Sequence, residues 1–374
     1  MSRKLASIQK IVSLQSIKDA DKIELATVLG WHVVVSKSEN YKIGDLVCYI
    51  EVDSQCPPTP IFEFLKDRKY RVRTIKLKGQ VSQGLIIPLS ALPEGKYKEG
   101  QDVTDILGIT KYDPQAELEA KLLEQSARKS KNIFHKFFMK YNWYRRTYNK
   151  YFNQNKKSGF PSWISKTDED RIQTIPDIFK KFSDEQRLFW STEKLDGQSA
   201  TYFVEKNTKF GFINTYEFGV CSRNLRLNSP LSNSSYWTIA RNKNIEKVLT
   251  DILKRHKAKR IALQGEIIGT GIQSNKYKVE GYKFFAFNLK IDNTIYDTGL
   301  IEEILSPYGI ETVPILDDYI PLKNSIDEMV EDAKGNSLIY NTLREGKVWR
   351  TFDENQNLIS FKVINPDFLL KNKE

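Results

Sequence analysis

Cysteine and histidine are scarce in this chain: three of each in 374 residues. Cys48, Cys56 and Cys221 are too few and too far apart for a disulfide framework, which points to a cytoplasmic or other reducing intracellular compartment. With only His32, His135 and His256 available, a Cys/His zinc site and a mechanism built on a histidine base are both poor starting points. No apolar run reaches the roughly 18 residues that cross a bilayer, so no membrane partner is expected. The opening MSRKLASIQKIVSLQSI breaks every apolar stretch with polar residues and does not read as a signal peptide. Acid is short relative to base, with 58 Lys and Arg against 47 Asp and Glu, a net charge of +11. That balance calls for a polyanionic partner. The rest is ordinary for a soluble globular protein of two or three domains, with 40% hydrophobic and 28% charged residues.

Residues 1–112 are rich in short β-branched and aromatic runs: IELATVLGWHVVVS, DLVCYIEV, RVRTIKLKG and QGLIIPL. Turn segments such as SENYKIGD, DSQCPPTP and LPEGKYKEG separate them. This spacing predicts a small five-stranded OB-like β-barrel. Its opening SIKDADKIELATVLGW resembles that of tRNA-binding OB modules, which implies RNA binding; a small β-barrel used as a structural cap is the alternative. Residues 113–158 change to helix formers and then to NIFHKFFMKYNWYRRTYNKYFNQNKK. Residues 121–160 carry eight Lys, three Arg and one acid, so nearly all the excess charge sits there. A basic helical arm is expected. Its cations would meet phosphates, and Phe134, Phe137, Phe138, Tyr141 and Tyr144 would form a stripe buried on a neighbour. From residue 159 to 374 strands and helices alternate, predicting an α+β domain dominated by antiparallel sheet.

Chemistry concentrates in this last domain. Glu193-Lys194-Leu195-Asp196-Gly197 follows a predicted strand. Ser222-Arg223-Asn224 ends another, and Gly265-Glu266 lies inside LQGEIIGTG. Phe284-Phe285-Ala286-Phe287-Asn288 is an aromatic strand, Glu345-Gly346-Lys347-Val348 opens a further one, and Lys362 lies in SFKVINPDFLLK. Each motif alone has a bland reading: a turn, a core ring, a surface ion pair. Glu266 is the exception, since a carboxylate in an apolar strand is costly without a partner.

Taken in order, the set resembles motifs I, Ia, III, IIIa, IV and V of the covalent nucleotidyltransferases, the superfamily of polynucleotide ligases and mRNA-capping enzymes. The SRN, QGE and FKVINP forms most resemble an ATP-dependent RNA ligase of the nick-sealing type with an N-terminal OB domain. The resemblance implies an antiparallel-sheet, ATP-grasp-like adenylyltransferase domain. It implies ATP and Mg²⁺ or Mn²⁺ as cofactors, and RNA with 3′-OH and 5′-phosphate ends, a nicked duplex, as substrate for a monomeric enzyme. Lys194 would be the nucleophile, its pKa lowered by a metal and by cations such as Lys362. Asp196, Glu266 and Glu345 would hold the hydrated metal, and Glu266 and Glu345 would also bind nucleotide with Arg223 and Lys362. Phe287 would stack on adenine, and Glu193 would line its pocket. Lys166 and Arg171, upstream in KTDEDR, would reach the departing phosphates or cap a helix.

Two departures stand out. Ser360 replaces the first lysine of the K-x-K common in motif V, and Asn288 replaces the aspartate often found after the stacking aromatic. Three functions are compared: an RNA ligase, a DNA ligase or mRNA guanylyltransferase, and a non-catalytic RNA-binding protein. The second type places its OB domain after motif V, but only 12 residues follow Lys362, too few for a domain. The third has no use for a lysine ringed by acids. Removal of residues 1–112 is expected to spare lysine adenylylation and impair sealing.

Overall fold

A computed structural model describes residues 4–112, 159–209, 213–227 and 233–372; the basic helical arm expected over 113–158 lies outside the described residues. The N-terminal part is a curled five-stranded sheet. Its strands are β1 (Ala6–Ser16), β2 (Ile23–Val28), β3 (Trp31–Ser36), β4 (Leu46–Ile50) and β5 (Leu85–Pro88), in the order β3-β2-β1-β4-β5. β1 is long enough to serve two neighbours. Its first half pairs with β4, and its second half pairs with β2 past a bulge between Ile11 and Ser13. Bulged strands that bend and change partner are how small sheets curl toward closure. The Gln83 amide donates to the His32 carbonyl at 2.8 Å, drawing the far edge in toward β3. Ile11, Val28, Trp31, Val33 and Tyr49 fill the interior. This is the expected OB-like sheet.

The C-terminal part holds two antiparallel sheets. In the first, β6 (Leu188–Lys194), β11 (Ile315–Pro321), β12 (Gly346–Phe352) and β13 (Leu358–Ile364) run in the order β13-β12-β6-β11. The two-residue strand Asp170–Arg171 adds to β13 in parallel, which sets Arg171 beside Lys362. In the second, β7 (Gln198–Lys209), β8 (Ile213–Cys221), β9 (Arg260–Gly269) and β10 (Tyr282–Ile291) run in the order β8-β7-β9-β10. Helices back each sheet. Phe179 and Phe182 of the Pro176–Asp184 helix pack on Phe189, Trp349 and Phe361 of the first sheet. Val248, Leu249 and Ile252 of the Ile245–Arg255 helix pack on Tyr202 and Leu263 of the second. No described helix is long and apolar enough to cross a membrane.

The two parts touch through several polar contacts. The Gly30 amide donates to the Gln173 carbonyl at 2.9 Å, and His32 Nε2 lies 2.8 Å from Asp327 Oδ1. Gly30 is needed for this approach, because a Cβ would sit 2.8 Å from Ile326 Cδ1 and 2.9 Å from Gln173 Cα. Asp53 of the barrel accepts from Arg71 at 2.7 Å and from Arg171 of the other domain at 2.9 Å.

Candidate active site

The link between the two C-terminal sheets forms the floor of the site. β6 ends at Lys194, and Leu195-Asp196-Gly197 carry the chain across to β7. Lys194 stands opposite Gly346 on β12, so Glu345 lies next to it; Lys194 Nζ donates to Glu345 Oε2 at 2.7 Å. On the second sheet, Ser199 pairs with Glu266, which brings Glu266 under the same link. Gly197 allows this, since a Cβ there would meet the Ile267 carbonyl oxygen and lie 2.9 Å from Glu266 Cγ. Gly197→Ala is therefore expected to cost about 1–3 kcal/mol of stability, typical of overpacking. A lowered melting temperature would report it, and an unchanged one would show that β7 and β9 can part without cost.

A cavity of about 470 Å³ opens over this floor. It is lined by Glu193, Lys194, Asp196, Arg223, Glu266, Phe287, Glu345 and Lys362, eight of the residues singled out from sequence. Arg171 lines it too, but Lys166 does not; that side chain is exposed. Asp170–Arg171 form a strand, and Arg171, which directly precedes the 3₁₀ turn Ile172–Thr174, makes no side-chain cap bond to it, so the capping reading of this segment fails. Phe287 reaches the cavity through a defect in the ladder. Gln264 pairs with Asn288 and Gly265 with Ala286, leaving Phe287 as the extra residue of a bulge. Bulges re-aim side chains in this way beside active sites.

The expected lowering of the Lys194 pKa rests on a bound metal as well as on cations, and in the protein alone the electrostatics run the other way. Burial works to deprotonate Lys194, but Glu345, Glu266 and Asp196 outweigh it and hold its pKa above the ordinary lysine value. In the protein alone the lysine is thus a firmly held ammonium, not an activated amine. The acids feel the opposite strain. Burial, with repulsion from Glu345 and Asp196, pushes Glu266 up to about 8 against the pull of Lys194. Burial and Glu345 push Asp196 up to about 6. Lys362 is driven down to about 8 by burial, Lys194 and Arg171. Glu193 is buried and accepts from the Leu338 amide at 2.8 Å; burial raises its pKa.

Several lining residues carried no signal in the sequence. Lys276 donates to Asp196 Oδ2 at 2.6 Å, and the Asp196 amide donates to the Tyr277 hydroxyl at 2.8 Å. Asp168 accepts from Arg223 and, at 3.2 Å, from Lys111 of the barrel. Burial opposes the Asp168 charge, yet Arg223, Lys111 and Lys362 hold its pKa far below the usual carboxylate range. Arg71, Lys111 and Tyr112 line the same cavity, so the N-terminal part forms one wall of it. Arg350 stands directly across from Ser360, is buried, and donates to Thr192 at 2.7 Å. Its guanidinium lies 5.8 Å from the Phe287 ring centroid. A cation on the neighbouring strand thus faces the position where Ser360 leaves motif V one lysine short. The cysteines offer no rival nucleophile, because all three are buried free thiols that burial pushes up to about 12.

Among the described residues no group of three or more His, Cys, Asp or Glu is spaced to grip a metal directly. Asp196, Glu266 and Glu345 nevertheless concentrate negative charge that two of them resist carrying. This fits a hydrated divalent cation met through its water shell.

The chain matches an OB-fold domain model over residues 5–89 and an RNA ligase model over residues 187–364. Its structure is similar to that of Naegleria gruberi RNA ligase with pyrophosphate, at 28% identity and a TM-score of 0.75, covering 100% of this chain and 99% of that one. A variant of that ligase with ATP and Mn gives a TM-score of 0.76 at 28% identity, with 100% of each chain covered. Another variant, with AMP and Mn, gives 0.75 at 28% identity, with 99% of each chain covered. A comparison with curated proteins gave no match. The ordered motifs, their convergence on one cavity, the two domain matches and the full-length likeness identify residues 187–364 as an RNA ligase domain of the covalent nucleotidyltransferase type, preceded by an N-terminal OB-fold domain.

Proposed function

We propose that this protein uses ATP and Mg²⁺ or Mn²⁺ to join a 3′-OH RNA end to a 5′-phosphate end, as a monomer acting on nicked duplex. The observation that carries this reading is Lys194 held among Glu345, Glu266 and Asp196, with Lys362 and Arg171 supplying positive charge in the same cavity. ATP enters with adenine against Phe287 and near Glu193, and its α-phosphate close to Lys194 and Lys362. The neutral amine of Lys194 attacks the α-phosphorus. A P–N bond forms, and the bond from the α-phosphorus to the bridging oxygen breaks, its electron pair leaving with pyrophosphate. An oxygen of the RNA 5′-phosphate then attacks the AMP phosphorus. The P–N bond breaks and Lys194 regains its proton. Finally the 3′-oxygen attacks the RNA 5′-phosphorus, AMP leaves and the strand is closed.

A divalent cation held through water by Asp196, Glu266 and Glu345 would offset their charge, ease deprotonation of Lys194 and stabilise charge on the α-phosphate. Lys362 and Arg223 act as fixed cations on phosphate oxygens, where positioned charge does most of the work of such transfers. Arg350 supplies the second motif V cation. Asn288 donates to Gln264 Oε1 at 3.2 Å, a bond within the sheet that suits a structural role.

The OB wall changes the expected division of labour. Arg71 and Lys111 sit in the nucleotide cavity with Arg171, so the N-terminal domain contributes to lysine adenylylation as well as to sealing. The variant Arg71→Ala/Lys111→Ala is expected to slow lysyl-AMP formation by about 10–100-fold, the worth of one or two charge-assisted hydrogen bonds. Unchanged single-turnover adenylylation would return the barrel to RNA binding alone. The whole reading is tested on a nicked RNA duplex with 3′-OH and 5′-phosphate ends. ATP with Mg²⁺ or Mn²⁺ should give a sealed strand on a denaturing gel. Absence of sealing by folded protein with either metal would refute it.

A further inference from the structure

The connection between β9 and β10, residues 270–281, borders the nucleotide cavity, and Gln273, Ser274 and Lys276 line it. Its backbone is sharply bent. Gln273, Ser274 and Asn275 hold φ angles of 43°, 57° and 46°, and Lys278 holds 55°. Residues other than glycine rarely take this left-handed conformation. A run of it persists only where neighbours over-determine it, and such strain gathers at active sites. The restraining bonds are present here. The Asn275 side chain donates to the Val279 carbonyl at 2.9 Å and accepts from the Val279 amide at 3.0 Å. The Thr270 amide donates to the Gly281 carbonyl at 2.9 Å, and Ile272, Tyr277 and Val279 are buried.

The bend delivers two adjacent groups to one residue of the floor. The Tyr277 hydroxyl accepts from the Asp196 amide at 2.8 Å, and Lys276 Nζ donates to Asp196 Oδ2 at 2.6 Å. The Lys276 side chain is 13% exposed and that of Asp196 9%, so salt and water screen the pair little. Lys276 Nζ also lies 4.8 Å from the ring centroid of Phe368, a buried residue of the helix Pro366–Asn372. Lys194 holds Glu345 in the same manner, at 2.7 Å. Two of the three acids offered to a divalent cation therefore each carry a lysine already. Lys194 leaves its acid to attack phosphorus, whereas Lys276 has no part in bond making. Its charge is the one that a cation approaching Asp196 must share or displace.

We infer that Lys276 is a positioning residue for the metal: a resident counter-ion that holds the Asp196 carboxylate in the cavity and sets how tightly the site takes up a divalent cation. This rests on the reading of Asp196, Glu266 and Glu345 as the acids that hold the hydrated cation, and deepens it by naming what that cation competes with. Two effects oppose each other when Lys276 is replaced by a neutral residue. Loss of the ammonium removes a positive charge from beside the carboxylate, which favours uptake. Loss of its hydrogen bond loosens the aim of that carboxylate, which disfavours uptake. The first wins, because Tyr277 still fixes the Asp196 backbone and a cation met through its water shell does not demand one exact oxygen position.

The test titrates full-length protein with Mn²⁺ at pH 8 in the absence of nucleotide, reading free Mn²⁺ by its electron paramagnetic resonance signal. Lys276→Met, which keeps the length of the side chain and its packing on Phe368, should bind Mn²⁺ about 5–50-fold more tightly than the parent. Lys276→Gln should tighten binding likewise, and it stands in if Lys276→Met shows no cooperative melting. Lys276→Arg keeps the charge and should bind as the parent does. In an Asp196→Asn background, Lys276→Met should change the affinity far less, as a pair acting through one contact requires. Unchanged or weaker binding by the neutral variants overturns the inference. So does tightening by Lys276→Arg, equal tightening with and without Asp196, or absence of Mn²⁺ binding in the parent. Lysyl-AMP formation, followed by intact mass, separates this inference from the ligase reading. Tightened Mn²⁺ binding by Lys276→Met, with no adenylate in the parent, keeps the counter-ion and overturns the ligase reading. Adenylate in the parent with unshifted Mn²⁺ affinity in the neutral variants does the reverse.

Discussion

Lys194→Ala should form no covalent nucleotide adduct and lose ATP-dependent joining by on the order of 10⁴-fold or more, the scale of losing a covalent nucleophile. The same variant should still seal a strand that already carries 5′-AMP, because the last step needs the phosphate cations and not the lysine. The pairing of the two results matters. A variant that merely unfolded would lose both activities, whereas loss of the first alone isolates the P–N bond. The structure supports a specific role because Lys194 is tied down at 2.7 Å to Glu345 and sits at a strand end, where its backbone is fixed by the ladder to β12. ATP-dependent joining retained by Lys194→Ala would contradict the nucleophile assignment.

Glu266→Gln should slow lysyl-AMP formation by about 10²–10³-fold, the usual cost of one preorganised electrostatic group. The direction is informative. Glu266 is one of the charges that hold Lys194 protonated. If that were all it did, its neutralisation would free the amine and accelerate attack. A role in holding the metal and nucleotide predicts the reverse, and an accelerated Glu266→Gln would contradict that role.

The pH dependence follows from the same charges. The attacking lysine must be neutral, and its folded-state pKa lies above the ordinary value. Glu266, pushed up to about 8, is largely protonated below that pH and gains its charge as pH rises through it. Both titrations therefore make single-turnover adenylylation rise between pH 6 and 9 in the parent. Lys362, driven down to about 8, loses charge over the upper part of that window and bends the rise there. A rate that fell steadily from pH 6 to 9 would show that neither group governs the step. Glu266→Gln should keep the lysine contribution and lose its own, giving a shallower rise.

The active-site floor was legible because its residues sit in short ordered motifs whose spacing survives folding. Lys194, Asp196, Glu266, Phe287, Glu345 and Lys362 all line one cavity, as their order implied. The residues that escaped detection act across the fold. Lys276 grips Asp196 from 80 residues away, and Arg71 and Lys111 arrive from another domain. Nothing local distinguishes such cations from any solvated charge. The reversed pKa of Lys194 has the same origin: the sequence shows which acids exist, but only their convergence shows that three of them outweigh burial.

The fold shows a similar division. Strands with β-branched and aromatic runs, such as IALQGEIIG and LISFKVI, appear at Arg260–Gly269 and Leu358–Ile364. The run SSYWTIARNKNIEKVLTDILKRH, which reads as one helix by composition, forms two, Ser235–Asn242 and Ile245–Arg255, broken where Asn244 takes a φ of 48°. Asn tolerates that left-handed turn, and each half then packs its own apolar face. The strand Ile315–Pro321 carries no clear strand signal in the sequence, because it is an edge strand with no clean alternation of buried and exposed residues.

Covalent transfer at Lys194 is tested most directly by intact mass and peptide mapping of the folded, initially unmodified protein after exposure to ATP with Mg²⁺ or Mn²⁺. One AMP per chain, mapped to Lys194 and absent with GTP, is the predicted result. No adduct with either metal, a GMP adduct, or AMP carried on another residue would contradict it.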